Sequence, residues 1–565
     1  MTAELSPALY LIIGGLLTPL IRGRVLRALW MLGLPVVAFI AVWHLPEGAL
    51  HPVSIFGLKL EILRVDRLSR MFAYVFLLAA FLAGIFSLHL RSALEPSAAL
   101  VYGGAAIGAV FCGDLISLFV FWELTAVASV FLVWSTGTAR AFHAGMRYLI
   151  AQVGSGVLLL AGLLVHWNAT GSVAFGHLGL EAPGGVLILL AFGIKCAFPL
   201  LHNWLQDAYP EATPTGTVVL SAFTTKLAVY ALARAYAGTE ILVGIGALMT
   251  AFPIFYAVIE NDLRRVLAYS LNNQLGFMVV GVGIGTELSL NGTAAHAFTH
   301  ILYKALLFMS MGAVLHRVGT TRGTDLGGLY KSMPWTTGFC IVGAASISAF
   351  PLFSGFVSKS MILSAAAHEG HYLTWGVLLF ASAGVFHHSG IKIPFFAFFA
   401  HDSGRRPREA PFNMLLAMGL AAFLCVGIGV WPQGLYALLP YPTDFVPYTD
   451  SHVLSQVQLL VFSALAFTVL MRTGLYPPEM RAINLDTEWF YRRLGKGLVL
   501  AGSELVGHVY WLALSRARRR VVRAIGSIYR HHGPQGLLAR DWPSGSMVLW
   551  VSIMLGAYLV FYLIG

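Results

Sequence analysis

The chain has 565 residues, of which 58% are hydrophobic and only 11% charged, and its mean hydropathy is +0.77. Soluble globular proteins carry ~25% charged residues, so the composition excludes a soluble enzyme and implies a chain that lives in a bilayer. The net charge of +11 does not imply a nucleic-acid partner, because the basic residues gather in particular loops, where they act as topology signals.

Apolar runs of roughly 18 or more residues, each enough to cross ~30 Å of hydrocarbon as a helix, recur about sixteen times. The first, in MTAELSPALYLIIGG, has no basic n-region and no small-residue cleavage site, so it reads as a retained helix. Basic loops carry Arg22, Arg24 and Arg27; Arg140 and Arg147; Arg264 and Arg265; Arg317 and Arg322; and Arg405, Arg406 and Arg408. They alternate with loops poor in Lys and Arg, at 167–185, 286–291 and 441–451. The positive-inside rule then places the N-terminus outside and the basic loops in the cytoplasm of a bacterial cell, with the chain in the inner membrane.

Residues 1–96 are expected to hold three transmembrane helices, with an external β-hairpin where HPVSIFGLKLEILRV alternates apolar and polar residues. Residues 97–237 and 238–400 are expected to be two repeats, 401–475 further core helices, 476–545 a lateral segment and 546–565 a final crossing. The lateral segment contains LVLAGSELVGHVYWLALSRARRRVVRAIGSIY. It reads as an amphipathic helix on the cytoplasmic surface, with Arg516, Arg518, Arg519, Arg520 and Arg523 toward water or lipid phosphate. A transmembrane hairpin is the competing reading.

Ionisable residues recur where hydrocarbon should exclude them: Glu123, Lys195, Lys226, Lys304, Lys359 and Lys392 each lie in an apolar run. Each costs about 2.5 to 3.5 kcal/mol at mid-membrane on insertion scales, which makes such residues candidates for function. His296, His300 and Lys304 follow at i, i+4 and i+8, one above another on a single helix face. Histidine titrates nearest neutrality, and burial disfavours the charged amine, so this ladder suits proton transfer. Two histidines at this spacing can also bind zinc, but no HExxH glutamate lies between them and Lys304 would bring a cation beside the metal. Sodium needs oxygen ligands and a lysine-lined path repels cations, so protons are the expected ion.

Pro199 removes a hydrogen bond to the carbonyl of Lys195, and Pro351 with Gly355 loosens the helix before Lys359. Breaks at membrane depth in both halves suggest an inverted repeat of the transporter kind. Cys112, Cys196, Cys340 and Cys425 are isolated in apolar helices, without CxxC spacing, and read as packing residues. No metal, nucleotide or other cofactor is indicated.

FVFWELTA, KCAFPLLHNWLQDAYPEATPT, ENDLRRVLAYSLNNQLGFM, HAFTHILYKALLF and PLFSGFVSKSMIL together resemble the signature segments of the proton-translocating antiporter-like family. That family holds the large membrane-arm subunits of respiratory complex I, the A and D subunits of Mrp-type cation/proton antiporters and relatives in membrane-bound hydrogenases. The resemblance implies an all-α polytopic fold with a core of about 14 helices, two inverted five-helix repeats with broken helices, and extra C-terminal helices around a surface helix. It also implies roles: Glu123 as the fifth-helix glutamate, Lys195 as the lysine paired with it and Lys226 as a connecting lysine. His296, His300 and Lys304 would follow on helix eleven and Lys359 at the end of the path, while Lys392 is given no role. The expected protein is a proton-translocating D-like subunit of an Mrp-type antiporter, without a redox site of its own, exchanging protons for sodium or another monovalent cation. Its partners would be other membrane subunits and lipid. The alternatives are a proton-pumping subunit of a complex I or hydrogenase type redox complex and the membrane subunit of a proton-driven inorganic-carbon uptake system.

Overall fold

A computed structural model describes residues 6–565 except 51, 56, 478, 483 and 542. The chain divides into two compact units, Met1–Asn484 and Leu485–Gly565.

The first unit is built on helices α1 (Pro7–Leu17), α2 (Arg24–His44), α3 (Arg67–Phe86), α4 (Leu94–Phe111), α5 (Leu115–Trp134), α6 (Ala139–Thr170) and α7 (Gly185–Lys195). The short α8 (Asn203–Ala208) follows, then α9 (Pro214–Ala222), α10 (Thr224–Ala235), α11 (Ile241–Ile259), α12 (Leu263–Ile284) and α13 (Glu287–Val318). The unit continues through α14 (Pro334–Ile347), α15 (Ser354–His368), α16 (Tyr372–Val385), α17 (Phe412–Val430), α18 (Gln433–Tyr436) and α19 (Asp450–Arg472). Among the described residues of the whole chain, 12 helical segments are long and apolar enough to cross a membrane. The protein is therefore an all-helical, multi-pass membrane protein. The other helices fall short in length or hydropathy, α7 and α14 because the breaks at Pro199 and Pro351 end them early, which is why apolar runs alone give a larger count.

The expected hairpin is present as two antiparallel pairs: β1 (Gly48–Leu50) with β4 (Leu63–Val65), and β2 (Val53–Ile55) with β3 (Leu58–Leu60). Asp66 ends it and caps α3, accepting from the Ser69 amide while the Ser69 hydroxyl donates to the Asp66 carbonyl. α11 and α12 approach closely because a side chain at Gly246 or Gly276 would run into the facing backbone, the small-residue packing that hydrocarbon surroundings favour. The basic loops meet at one end of the bundle: Arg147 pairs with Asp207 at 2.6 Å, Arg264 donates to the Pro210 and Ala212 carbonyls, and Arg317 donates to that of Glu409. The loops poor in basic residues meet at the other end, where Asn291 and Tyr441 exchange hydrogen bonds and Arg67 reaches the Ala437 carbonyl. All four cysteines are free and buried.

Four non-glycine residues have positive φ among those described: Ala197 (61°), Leu200 (70°), Ala349 (56°) and Leu352 (73°). They belong to one tetrapeptide used twice, Ala-Phe-Pro-Leu at 197–200 and at 349–352. The hydrogen bonds also repeat: the Ala197 and Phe198 amides donate to the Ile194 and Gly193 carbonyls, and those of Ala349 and Phe350 donate to Ser346 and Ala345. Each copy ends one helix and starts another, so the breaks at Pro199 and Pro351 are a single device.

The second unit contains α20 (Lys496–His532) and α21 (Ser544–Ile564). With the π-helical turn before it, α20 runs unbroken for 43 residues, about 65 Å and twice the hydrocarbon thickness. That continuity excludes the hairpin reading. Its charge is segregated along the axis more than across it, since Glu504 and His508 are the acidic and basic residues between Leu498 and Leu514, whereas Arg516 to His532 is strongly basic.

Left-handed backbone costs an L-residue roughly 1–2 kcal/mol. Ala349→Gly, relieved of that cost, should raise the thermal midpoint of the purified protein in detergent, and Ala349→Val should lower it. A stabilising valine would contradict the backbone assignment.

Candidate functional site

Glu123 lies on α5, and its Oε1 is buried with no protein partner. Gly156 of α6 faces it so closely that a Cβ there would overlap the carboxylate. Lys195 is fully buried at the last residue of α7. Its Nζ donates to the Trp122 carbonyl at 2.5 Å and to the Thr125 hydroxyl at 2.8 Å, and it stands 4.4 Å above the Trp122 ring. The Trp122 indole is fixed in turn by Ser155, which donates onward to the Ala191 carbonyl. The expected Glu123–Lys195 ion pair is therefore not formed: neutral ligands on α5 hold the ammonium, although the two charges still lie within electrostatic reach of each other.

The helix carrying Lys226 is broken at Phe223, which contains neither proline nor glycine as a warning. Tyr102, from α4, causes the break by accepting from the Thr224 amide at 2.9 Å and bonding the Thr224 hydroxyl. The freed Ser221 carbonyl then accepts from Lys226 Nζ at 2.6 Å.

His296, His300 and Lys304 share one face of α13, and all three are fully buried. His296 Nδ1 lies 3.0 Å from the Ser358 hydroxyl on α15, and the Tyr303 hydroxyl, which donates to Gln274, comes within 3.5 Å of Nε2. Both ring nitrogens of His300 and the Nζ of Lys304 have no protein partner. Among the described residues no group of three His, Cys, Asp or Glu side chains is placed to hold a metal. Lys359 donates to the Ile347 carbonyl at 3.1 Å, at the end of α14, and sits 5.0 Å above the Phe277 ring. Lys226, Lys304, His296, His300 and Lys359 all lie within electrostatic reach of one another through His300.

Lys392, without an expected role, has a well-defined place. It lies on the π-helical stretch Phe386–Lys392 that follows α16. It donates to the carbonyls of Val258 (2.6 Å) and Glu260 (2.7 Å) at the C-terminus of α11, and pairs with Glu479 at 3.0 Å. Glu479 lies in the loop after α19, where burial raises its carboxyl above the usual range against the opposing pull of Lys392. Sequence reasoning missed the residues that surround the lysines and histidines: Thr125, Tyr303, Gln274, Ser358, His388 and Glu479. Thr125 and Ser358 stand close in sequence to Glu123 and Lys359, a signal that could have found them.

Two copies of one helix break, each beside a buried lysine, flank a row of buried bases on α10 and α13. Residues 112–386 match the family model described as NADH:quinone oxidoreductase/Mrp antiporter, TM. The chain is 31% identical over 359 residues to NADH-quinone oxidoreductase subunit N of Desulforudis audaxviator, covering 58% of this chain and 72% of that one. The chain belongs to the NADH:quinone oxidoreductase/Mrp antiporter family. It is also 31% identical over 292 residues to the Na(+)/H(+) antiporter D subunit of Alkalihalophilus pseudofirmus, covering 48% of this chain and 59% of that one. A chain of the archaeal membrane-bound sulfane sulfur reductase shares the fold, with a TM-score of 0.71 at 22% identity over 99% of this chain and 100% of that one. The chain spans less than two thirds of the length of most curated relatives it matches.

Because Gly156 leaves room for the Glu123 carboxylate, Gly156→Ala should displace it while favouring the α6 helix by roughly 0.5–1 kcal/mol. Ion flux through vesicles holding the assembled protein should fall severalfold with unchanged expression. Parental flux would show that the position of Glu123 does not matter.

Proposed function

We propose that this chain is a proton-translocating subunit of a multisubunit complex in a bacterial cell membrane, D-like in an Mrp-type antiporter. The observation that carries the reading is the unpartnered Lys304 and His300 at zero exposure in the middle of the bundle. Polar groups that no side chain satisfies are held by water inside a protein, and water joining amines to imidazoles moves protons.

In this reading Glu123 and Lys195 form a two-state switch. Paired, each stabilises the other's charge in low dielectric; parted, each is left uncompensated. The Trp122 carbonyl and Thr125 hydroxyl provide Lys195 with a second resting place, and the break at Ala197–Leu200 gives its backbone room to move. A proton released there passes to Lys226, along the α13 ladder and on to Lys359. About sixteen crossings follow if α1, α12, α16 and the pairs α7/α8 and α14/α15 each span the bilayer and α20 lies along its cytoplasmic surface. A second reading, a subunit of a redox complex, is favoured by the sulfane sulfur reductase chain, whose fold matches both units. The proton path is the same in either case.

Lys359→Ala and Glu123→Gln should assemble normally and reduce proton flux in proteoliposomes of the purified complex at least tenfold, with Glu123→Asp keeping part of it. Flux at the parental rate in both would remove this path from the protein. Cysteines placed along α20 should react with an impermeant reagent added from the cytoplasmic side, and labelling only from outside would overturn the topology.

A further inference from the structure

His388 is the remaining fully buried histidine near the α13 ladder, and it lies on another element, the π-helical stretch Phe386–Lys392. π-helical turns are rare and concentrate at functional sites, because the extra residue per turn re-aims the side chains around it. Here the widened turn places His388 within electrostatic reach of Lys304 on α13 and Lys359 on α15, as well as His387 and Lys392 on its own stretch.

Its hydrogen bonds settle the tautomer. The Ser389 hydroxyl donates to the Ser270 hydroxyl at 2.8 Å, so its single proton is committed there. His388 Nδ1, 2.8 Å from Ser389 Oγ, must then be the donor of that pair. The neutral ring carries its proton on Nδ1, and the lone pair is on Nε2. That atom is buried and has no protein partner. A fixed imidazole with an unsatisfied lone pair, within electrostatic reach of two buried lysines, is a built proton acceptor. Lys392 four residues on is held by carbonyls of α11 and by Glu479, and stands as a fixed cation that opposes a proton resting on the ring.

We propose that His388 is a proton relay between Lys304 and Lys359, a step that rests on the proton-translocating reading above. The Lys304 ammonium loses one N–H bond and Nε2 gains one, leaving a neutral amine and an imidazolium. The imidazolium then gives up the Nε2 proton to the neutral amine of Lys359. The Nδ1–H stays on Ser389 throughout, so the ring returns to its starting tautomer, and the net change is one proton moved from Lys304 to Lys359. Water spans the gaps between these groups.

The test uses the purified complex in proteoliposomes. His388→Asn keeps a donor where Nδ1 lies and removes the Nε2 base, and proton flux should fall at least tenfold with the subunits still co-purifying. Ser389→Ala frees the tautomer and should lower flux severalfold, and Ser389→Thr, which keeps the hydroxyl, should restore it. Should His388→Asn fail to assemble, the serine pair decides: equal flux in Ser389→Ala and parent overturns the relay. Flux unchanged in His388→Asn while Lys359→Ala abolishes it overturns the relay and leaves the proton path standing. Parental flux in His388→Asn, Ser389→Ala and Lys359→Ala, or no proton flux in the parent, overturns both.

Discussion

In hydrocarbon every main-chain polar group must find a partner inside the protein, and this bundle meets that constraint at its broken or finished helices with lysine side chains. Lys226 takes the Ser221 carbonyl where α9 stops, Lys359 takes the Ile347 carbonyl where α14 stops, and Lys392 takes the last carbonyls of α11. The carbonyl needs a donor and the ammonium needs an acceptor, so each offsets the other's burial. A neutral amine can still donate to a carbonyl, which means that such a lysine can lose its proton without losing its place. Lys195 instead takes the Trp122 carbonyl within α5, and Lys304 takes none. It stands in the unbroken α13, where the carbonyls serve the helix itself, and its Nζ has no protein partner.

The repeated tetrapeptide connects the breaks to the site. Ala197 and Ala349 hold the left-handed conformation that usually ends a helix on glycine. An alanine there stores strain of the kind that persists where surrounding structure requires it. Both copies lie beside a buried lysine, Lys195 before the first and Lys359 after the second, so the strained turns sit next to buried amines.

Much of this was legible in the sequence. Buried charges in apolar runs mark themselves, Pro199 and Pro351 locate two breaks, and the spacing of His296, His300 and Lys304 fixes a common face. The break at Phe223 was not legible, because Tyr102 imposes it from another helix. The partners of Lys195 were misjudged for a similar reason. Resemblance gives the glutamate on the neighbouring helix, but the carbonyl and hydroxyl that hold the ammonium depend on the turn of α5 on which Trp122 and Thr125 lie. Lys392 could not be interpreted without Glu479, which reaches it from a loop almost a hundred positions away, and the π-helical register that aims His388 leaves no periodicity to read.

The central claim is that protons cross through the unpartnered groups in the middle of the bundle, and Lys304 tests it most directly. Proton uptake should be measured with an internal pH dye in proteoliposomes of the complete complex carrying Lys304→Ala, against the parent. The account predicts uptake at the background of protein-free liposomes with normal subunit composition, and uptake at the parental rate would contradict it.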